Sequence, residues 1–161
     1  MIGGIKIIIT CSFIVVLSSC GNPEDNKQTK EAQEEAKQSE DLRKLEKRTM
    51  AIHDSIMPQM DSLMRLKQRL QSRLEAPESN NNIQGIEAQV DSLSAVRETM
   101  MDWMSRYSKN YKRIPDSAAI SEKAEQLELL NQDIQALKKQ WDQTLRNSVQ
   151  LLRQEERQKP E

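Results

Sequence analysis

From Leu42 to Leu70 side chains suited to burial recur at alternating intervals of three and four: Leu42, Leu45, Thr49, Ile52, Ile56, Gln59, Leu63, Leu66 and Leu70. This is the a/d spacing of a heptad, and only Thr49 and Gln59 interrupt its apolar character. Between them stand mostly Glu, Lys, Arg and Gln, good helix formers on a solvated face. A strand buries every second residue and cannot hold this period. The same pattern returns twice. Ile83, Ile86, Val90, Leu93, Met100, Trp103 or Met104, and Tyr107 form a second seam, with Val96 standing in where Arg97 breaks the repeat. Ile120, Leu127, Leu130, Ile134, Leu137, Trp141, Leu145, Ser148 and Leu152 form a third, with Lys123 or Ala124 filling its first gap.

Prolines and glycines punctuate the same plan. Pro77 sits in Ala76-Pro77-Glu78-Ser79-Asn80-Asn81-Asn82, and Pro115 in Ile114-Pro115-Asp116-Ser117, where Asp116 or Ser117 can cap the following helix. Only Pro58 falls inside a seam. It removes the hydrogen bond to the Asp54 carbonyl, so a kink is expected there. The register of positions 52, 56, 59 and 63 argues for one kinked helix rather than two. Helices are predicted over about 30–75, 83–112 and 117–158, roughly 70, 45 and 60 Å long. Short connections make neighbours antiparallel. The expected fold is all-α, an elongated antiparallel three-helix coiled-coil bundle over 30–158 with its first helix kinked at Pro58. Of four glycines only Gly85 lies within that span, which excludes a phosphate-cradling glycine loop.

The chain opens MIGGIKIIITCSFIVVLSSC. Lys6 provides a positive start and Ile7–Leu17 an apolar run too short to cross a roughly 30 Å hydrocarbon core. The run ends in Leu17-Ser18-Ser19-Cys20, which resembles the lipobox of bacterial lipoproteins. That resemblance implies a signal peptide over 1–19, removed before Cys20. It also implies a diacylglyceryl group and an N-acyl chain on Cys20, and lipid anchorage in the cell envelope. Residues 20–29 then read as the lipidated cysteine and a flexible tether. The Glu24-Asp25 pair resembles a short acidic signal for export to the cell exterior. No Asp follows Cys20 directly, so the outer membrane is expected, facing either the periplasm or the outside. With Cys11 in the leader and Cys20 capped, no thiol remains to form a disulfide, which suits an oxidising compartment.

Methionine is confined to two windows. Met1 aside, the chain has Met50, Met57, Met60 and Met64, then Met100, Met101 and Met104. Met50, His53, Met57, Met60 and Met64 repeat at three and four, a stripe one residue removed from the Ile/Leu seam. An antiparallel reversal centred near residue 79 sets position 57 opposite about 101, and 53 opposite about 105. A second reversal near 114 sets Leu127 near Met101. One level therefore gathers His53, Met57, Met60, Met101, Trp103 and Met104. Three readings stay open for it. A helix touching two neighbours needs a wide apolar face, and methionine fills the irregular gaps beside a kink. Thioethers with an imidazole, in an oxidising compartment, suit Cu(I), with Trp103 lying over the ion. A methionine-rich surface can also dock a partner helix. His53–Met60 and Met100–Met104 further resemble paired segments of small Bacteroidetes helical lipoproteins often labelled "viral A-type inclusion protein", a label that implies no activity.

Catalytic motifs are not expected. Ser55 is two residues from His53 and does not face it on a helix. Glu34-Glu35 and Glu155-Glu156 read as solvated helix faces. Arg65, Lys67, Arg69 and Arg73 are interleaved with polar residues, and the formal net charge is −1, so nucleic acid is not an expected partner. The expected function is that of a non-catalytic, lipid-anchored helical bundle with a structural or protein-interaction role. Its partners would be the membrane and a helical protein or a second copy. The alternative is a Cu(I)-binding envelope lipoprotein.

Overall fold

The computed structural model describes residues 23–75, 82–115 and 117–158. The leader, Cys20 and Asp116 lie outside the described residues. The chain divides into two units, residues 1–34 and 35–161. In the first, the described residues belong to a helix, solvent-exposed from Thr29 onward.

All secondary structure among the described residues is helical. It comprises α1 (Pro23–Ile56), a 3-10 turn (Met57–Gln59), α2 (Met60–Leu74), α3 (Ile83–Arg106), a π turn (Tyr107–Tyr111) and α4 (Ile120–Gln158). In the second unit α2, α3 and α4 pack on one another pairwise, and the end of α1 joins them through the contacts below. The fold is all-α with three packed helices. The 39 residues of α4 span about 58 Å.

Helix boundaries depart from the expected ones for local reasons. α1 starts at Pro23 rather than at 30. Proline's fixed φ suits a first helical turn. α3 gives way at Arg106 to the π turn, where the Lys112 N–H reaches back to the Tyr107 carbonyl (3.0 Å). α4 starts at Ile120 rather than 117, because the chain first turns with Ala118 N–H on the Pro115 carbonyl.

At Pro58 the backbone tightens without losing the core. Its missing N–H leaves a 3-10 turn in which the Met60 N–H bonds to Met57 O. Side chains bond to carbonyls of the turn before it. Gln59 Nε2 donates to Ser55 O (2.9 Å) and Ser55 Oγ to Ile52 O (2.6 Å). Pro58 itself faces solvent. On the other side Thr49, Ile56, Leu63 and Leu70, spaced by sevens, are all fully buried.

The facing helices follow the same rule. Ile86, Leu93 and Met100 are fully buried at seven-residue spacing, with Val96 and Trp103 beside them. Arg97 is exposed, so Val96 does take its place. From α4 come Leu127, Ile134, Trp141 and Ser148, and, in a second row, Leu130, Leu137 and Thr144. Two polar layers interrupt this interior. Thr49 Oγ1 donates to Leu45 O (2.9 Å) and lies 3.2 Å from Asn131 Oδ1. Gln89 Nε2 donates to Thr144 O (3.1 Å) and Ser148 Oγ (2.9 Å). Buried polar partners of this kind set register, since a slip would leave them unpaired. At the rim, Arg69 pairs with Glu156 (2.8 Å) and Arg106 with Asp133 (2.5 Å).

The two tryptophans are buried alike but differ at one atom. Trp103 Nε1 donates to Leu130 O (2.8 Å), whereas Trp141 Nε1 has no hydrogen-bond partner. Both Trp→Phe variants lose ring volume, but only Trp103→Phe also breaks a satisfied bond. In urea unfolding Trp103→Phe should be the more destabilised of the two by about 1 kcal/mol. Equal losses would mean the indole N–H contributes nothing.

Candidate functional site

The reversal between the first arm (α1, the 3-10 turn and α2) and α3 brings His53 to Trp103. The two rings stack with centroids 5.7 Å apart and planes 27° from parallel. His53 Nδ1 lies 2.9 Å from Asp54 Oδ1, and the side chain is 15% exposed. The row continues from α3 into the π turn at steps of four residues. Trp103 and Tyr107 lie 5.4 Å apart at 15°, and Tyr107 and Tyr111 lie 5.4 Å apart at 35°. Side chains four apart meet on one helical face, and the wider π turn brings them closer to eclipsed. Lys112 Nζ closes the row, 5.6 Å from the Tyr107 ring centre and 5.7 Å from that of Tyr111.

Glu46 of α1 receives this end of the row. Its carboxylate accepts from Tyr107 Oη (2.7 Å), Tyr111 Oη (3.1 Å) and Lys112 Nζ (2.5 Å). Burial works to raise the Glu46 pKa. Hydrogen bonds from Lys112 and Tyr107, with the Lys112 charge, outweigh burial and hold the carboxyl below its ordinary range. Burial, then the neighbouring Glu46 charge, pushes the Tyr111 phenol up to about 12, and burial raises Tyr107 as well. Both phenols therefore stay neutral donors to an ionised acceptor. Three donors on one carboxylate tie α1 to the π turn.

The six side chains gathered by the sequence separate here. His53 and Trp103 are in contact. Met57, Met60 and Met104 are half-buried and pack against the core, as does Met50. Met101 is 48% exposed and lies about 200° around α3 from Trp103, facing solvent. Met64 is likewise 46% exposed, while Met100 is fully buried. Of the two seam candidates Trp103 or Met104, Trp103 takes the core position, where its N–H finds a carbonyl. No group of three or more His, Cys, Asp or Glu side chains able to hold a metal ion occurs among the described residues. Cys20 falls outside them.

Two open hollows among the described residues lie outside this row. One, of about 800 Å³, lies between α3 and α4 beside Ala95, Thr99, Lys139 and Arg146. Another, of about 380 Å³, lies between α1 and α4 at Leu42, Leu45 and Ile120. Neither takes in His53 or Trp103. No described helix is long and apolar enough to cross a membrane. The chain matches no protein-family model, no curated protein and no solved structure.

Sequence reasoning missed the Glu46 junction, yet its signal was present. The reversal centred near residue 79 also sets position 46 opposite 112. Glu46 and Lys112 are of opposite charge, and Tyr107 and Tyr111 precede Lys112 at helical spacing.

A carboxyl held below its unfolded pKa stabilises the fold above that unfolded value, and the contribution is lost as pH falls through the lowered value. Glu46→Gln should therefore lower stability near pH 7 by about 1–2 kcal/mol. The gap from wild type should close in acid, as Glu46 itself protonates. Tyr111 acts with the opposite sign: its contribution is present below pH 10 and drains as pH rises toward 12. Denaturation curves of both proteins across pH check the first statement. A gap that persists at about pH 2 contradicts it.

Proposed function

We propose that this chain is a non-catalytic lipoprotein of the bacterial cell envelope. It would be held in the outer membrane by acyl chains on Cys20, with its helical bundle serving as a structural or protein-interaction element. One structural observation supports the non-catalytic part of this reading. At the level of the candidate site His53 and Trp103 stack, the Trp103 N–H donates to a backbone carbonyl, and Tyr107 and Tyr111 are held by the Glu46 carboxylate. Leu17-Ser18-Ser19-Cys20 supports the anchor. Three acyl chains, each contributing about 0.8 kcal/mol per buried CH₂, hold a protein on a membrane firmly. In this reading the seven-residue spacing of buried positions belongs to a left-handed coiled coil, and Pro58 kinks its first helix on the solvent side. The interaction role would be met by a partner helix or a second copy.

Expression in a bacterium supplied with labelled palmitate tests the anchor. The native protein should take up label and yield a mature chain beginning at Cys20, and Cys20→Ala should abolish both. A native chain that keeps its first nineteen residues, or carries no acyl group, overturns the reading.

A second reading, Cu(I) binding, is favoured by one contact. A carboxylate on one imidazole nitrogen is how ligating histidines are oriented. Asp54 stands in that position on Nδ1 of His53, with Met57 one turn further on. Titration with Cu(I) against a chromophoric competitor decides it. Retention tighter than roughly micromolar, lost in His53→Ala/Met57→Ala, supports the metal. Weaker retention, or retention indifferent to the pair, removes it.

A further inference from the structure

The methionines carry an inference that needs nothing from the lipid anchor or from Cu(I). Residues 23–158 contain no cysteine, so thioethers are the softest and most readily oxidised sulfur in the bundle. The structure sorts them into three tiers. Met64 and Met101 stand nearly half exposed, at 46% and 48%. Met50, Met57, Met60 and Met104 are half-buried against the core. Met100 is fully enclosed. On the helix faces of Met64 and Met101 the neighbouring exposed positions are polar or charged: Asp61, Arg65 and Gln68 on α2, Arg97, Glu98 and Asp102 on α3. Packing gives no reason for a thioether at either place, and an aliphatic or charged residue would serve the helix as well.

We propose that Met64 and Met101 are sulfoxide-forming sites that consume two-electron oxidants of the peroxide class without disturbing the bundle. A sulfur lone pair attacks one oxygen of hydrogen peroxide and the O–O bond breaks. The sulfur keeps the oxygen as sulfoxide, oxidised by two electrons, and the second oxygen leaves as water with both protons. The polar sulfoxide then projects into solvent, where the thioether already stood. The half-buried tier behaves differently. A sulfoxide on Met57, Met60 or Met104 would place a polar group against the core beside the 3-10 turn, so oxidation reaching that tier would loosen the bundle. The exposed pair thus acts as the sacrificial layer for the joint at Pro58.

Hydrogen peroxide titration of the full chain in detergent micelles, with Cys11 and Cys20 blocked by alkylation, tests this, with peptide mass mapping and circular dichroism on the same samples. Sulfoxide should form at Met64 and Met101 first, roughly ten-fold faster than at Met100 and several-fold faster than at Met57, Met60 and Met104. The melting curve should hold while only the exposed pair is converted, and fall once the half-buried tier reacts. A methionine sulfoxide reductase should restore the first-stage product. The variant Met64→Leu/Met101→Leu, which leaves the core untouched, should lose more than about half of the sulfoxide that forms first within residues 23–158. The proposal is overturned if the half-buried methionines react as fast as the exposed pair. It is equally overturned if melting falls in step with the first conversions, or if the double variant forms sulfoxide within residues 23–158 at the native rate.

Discussion

Continuity of burial across Pro58 is the constraint on which the bundle rests. Thr49 and Ile56 precede the proline, Leu63 and Leu70 follow it, and all four side chains are closed off from solvent. A proline in a helix ordinarily costs about 3 kcal/mol through the lost bond and the ring clash. Here the damage is confined to the outer side of one turn. The ring points to solvent, the Gln59 amide takes the Ser55 carbonyl, and a 3-10 step absorbs the misfit. Had the tightened turn rotated α2 by even one residue, Leu63 and Leu70 would have left the interior and α3 would have nothing to face.

Given that seam, the level of every other contact follows from chain reversal. Ring stacking between His53 and Trp103, and the Glu46 junction with Tyr107, Tyr111 and Lys112, are consequences of one antiparallel alignment between the first arm and α3. The two polar layers then make the alignment specific. An interior of Leu and Ile alone tolerates slippage by a heptad, because each layer resembles the next. Asn131 beside Thr49 and Gln89 between Thr144 and Ser148 do not, since a slip would strand hydrogen-bonding groups in an apolar layer.

Most residues on the periodic seams were legible because burial at seven-residue spacing is a property of sequence, although Ile83, at the first turn of α3, is 37% exposed. Even the exchange of Arg97 for Val96 could be read there. The first reversal was legible too. Centred near 79, it puts His53 opposite about 105, and the structure stacks it on Trp103. The second was not. A reversal near 114 placed Leu127 by Met101, whereas Trp103 meets the Leu130 carbonyl and Arg106 meets Asp133. Pro115 and the small residues after it turn the chain before α4 begins at Ile120, and that moves the centre of reversal later. Exposure of individual methionines was the least legible feature. Met101 and Met104 share a window and a residue type, but only a rotation about α3, fixed by Trp103 finding its carbonyl, decides which of them faces water.

That rotation also explains why a chain of this composition places sulfur where it does. A bundle of three helices has a narrow interior, already filled by Leu, Ile and two tryptophans at 0–1% exposure. The tryptophan on α3 is bulky and sits level with the turn that interrupts the first arm, so the surrounding surface is irregular. Branched aliphatic side chains fit regular layers and leave gaps at such a place, whereas unbranched methionine conforms to it. The half-buried methionines lie along this margin, and α4, which lacks both a proline and a stacked aromatic row, has none. Conformability brings oxidisability with it, because the same polarisable sulfur that fills an uneven gap is also a nucleophile. A margin built this way gains from having thioethers further out that meet an oxidant first, and Met64 and Met101 stand one helical turn from Met60 and Met104 on the solvent side.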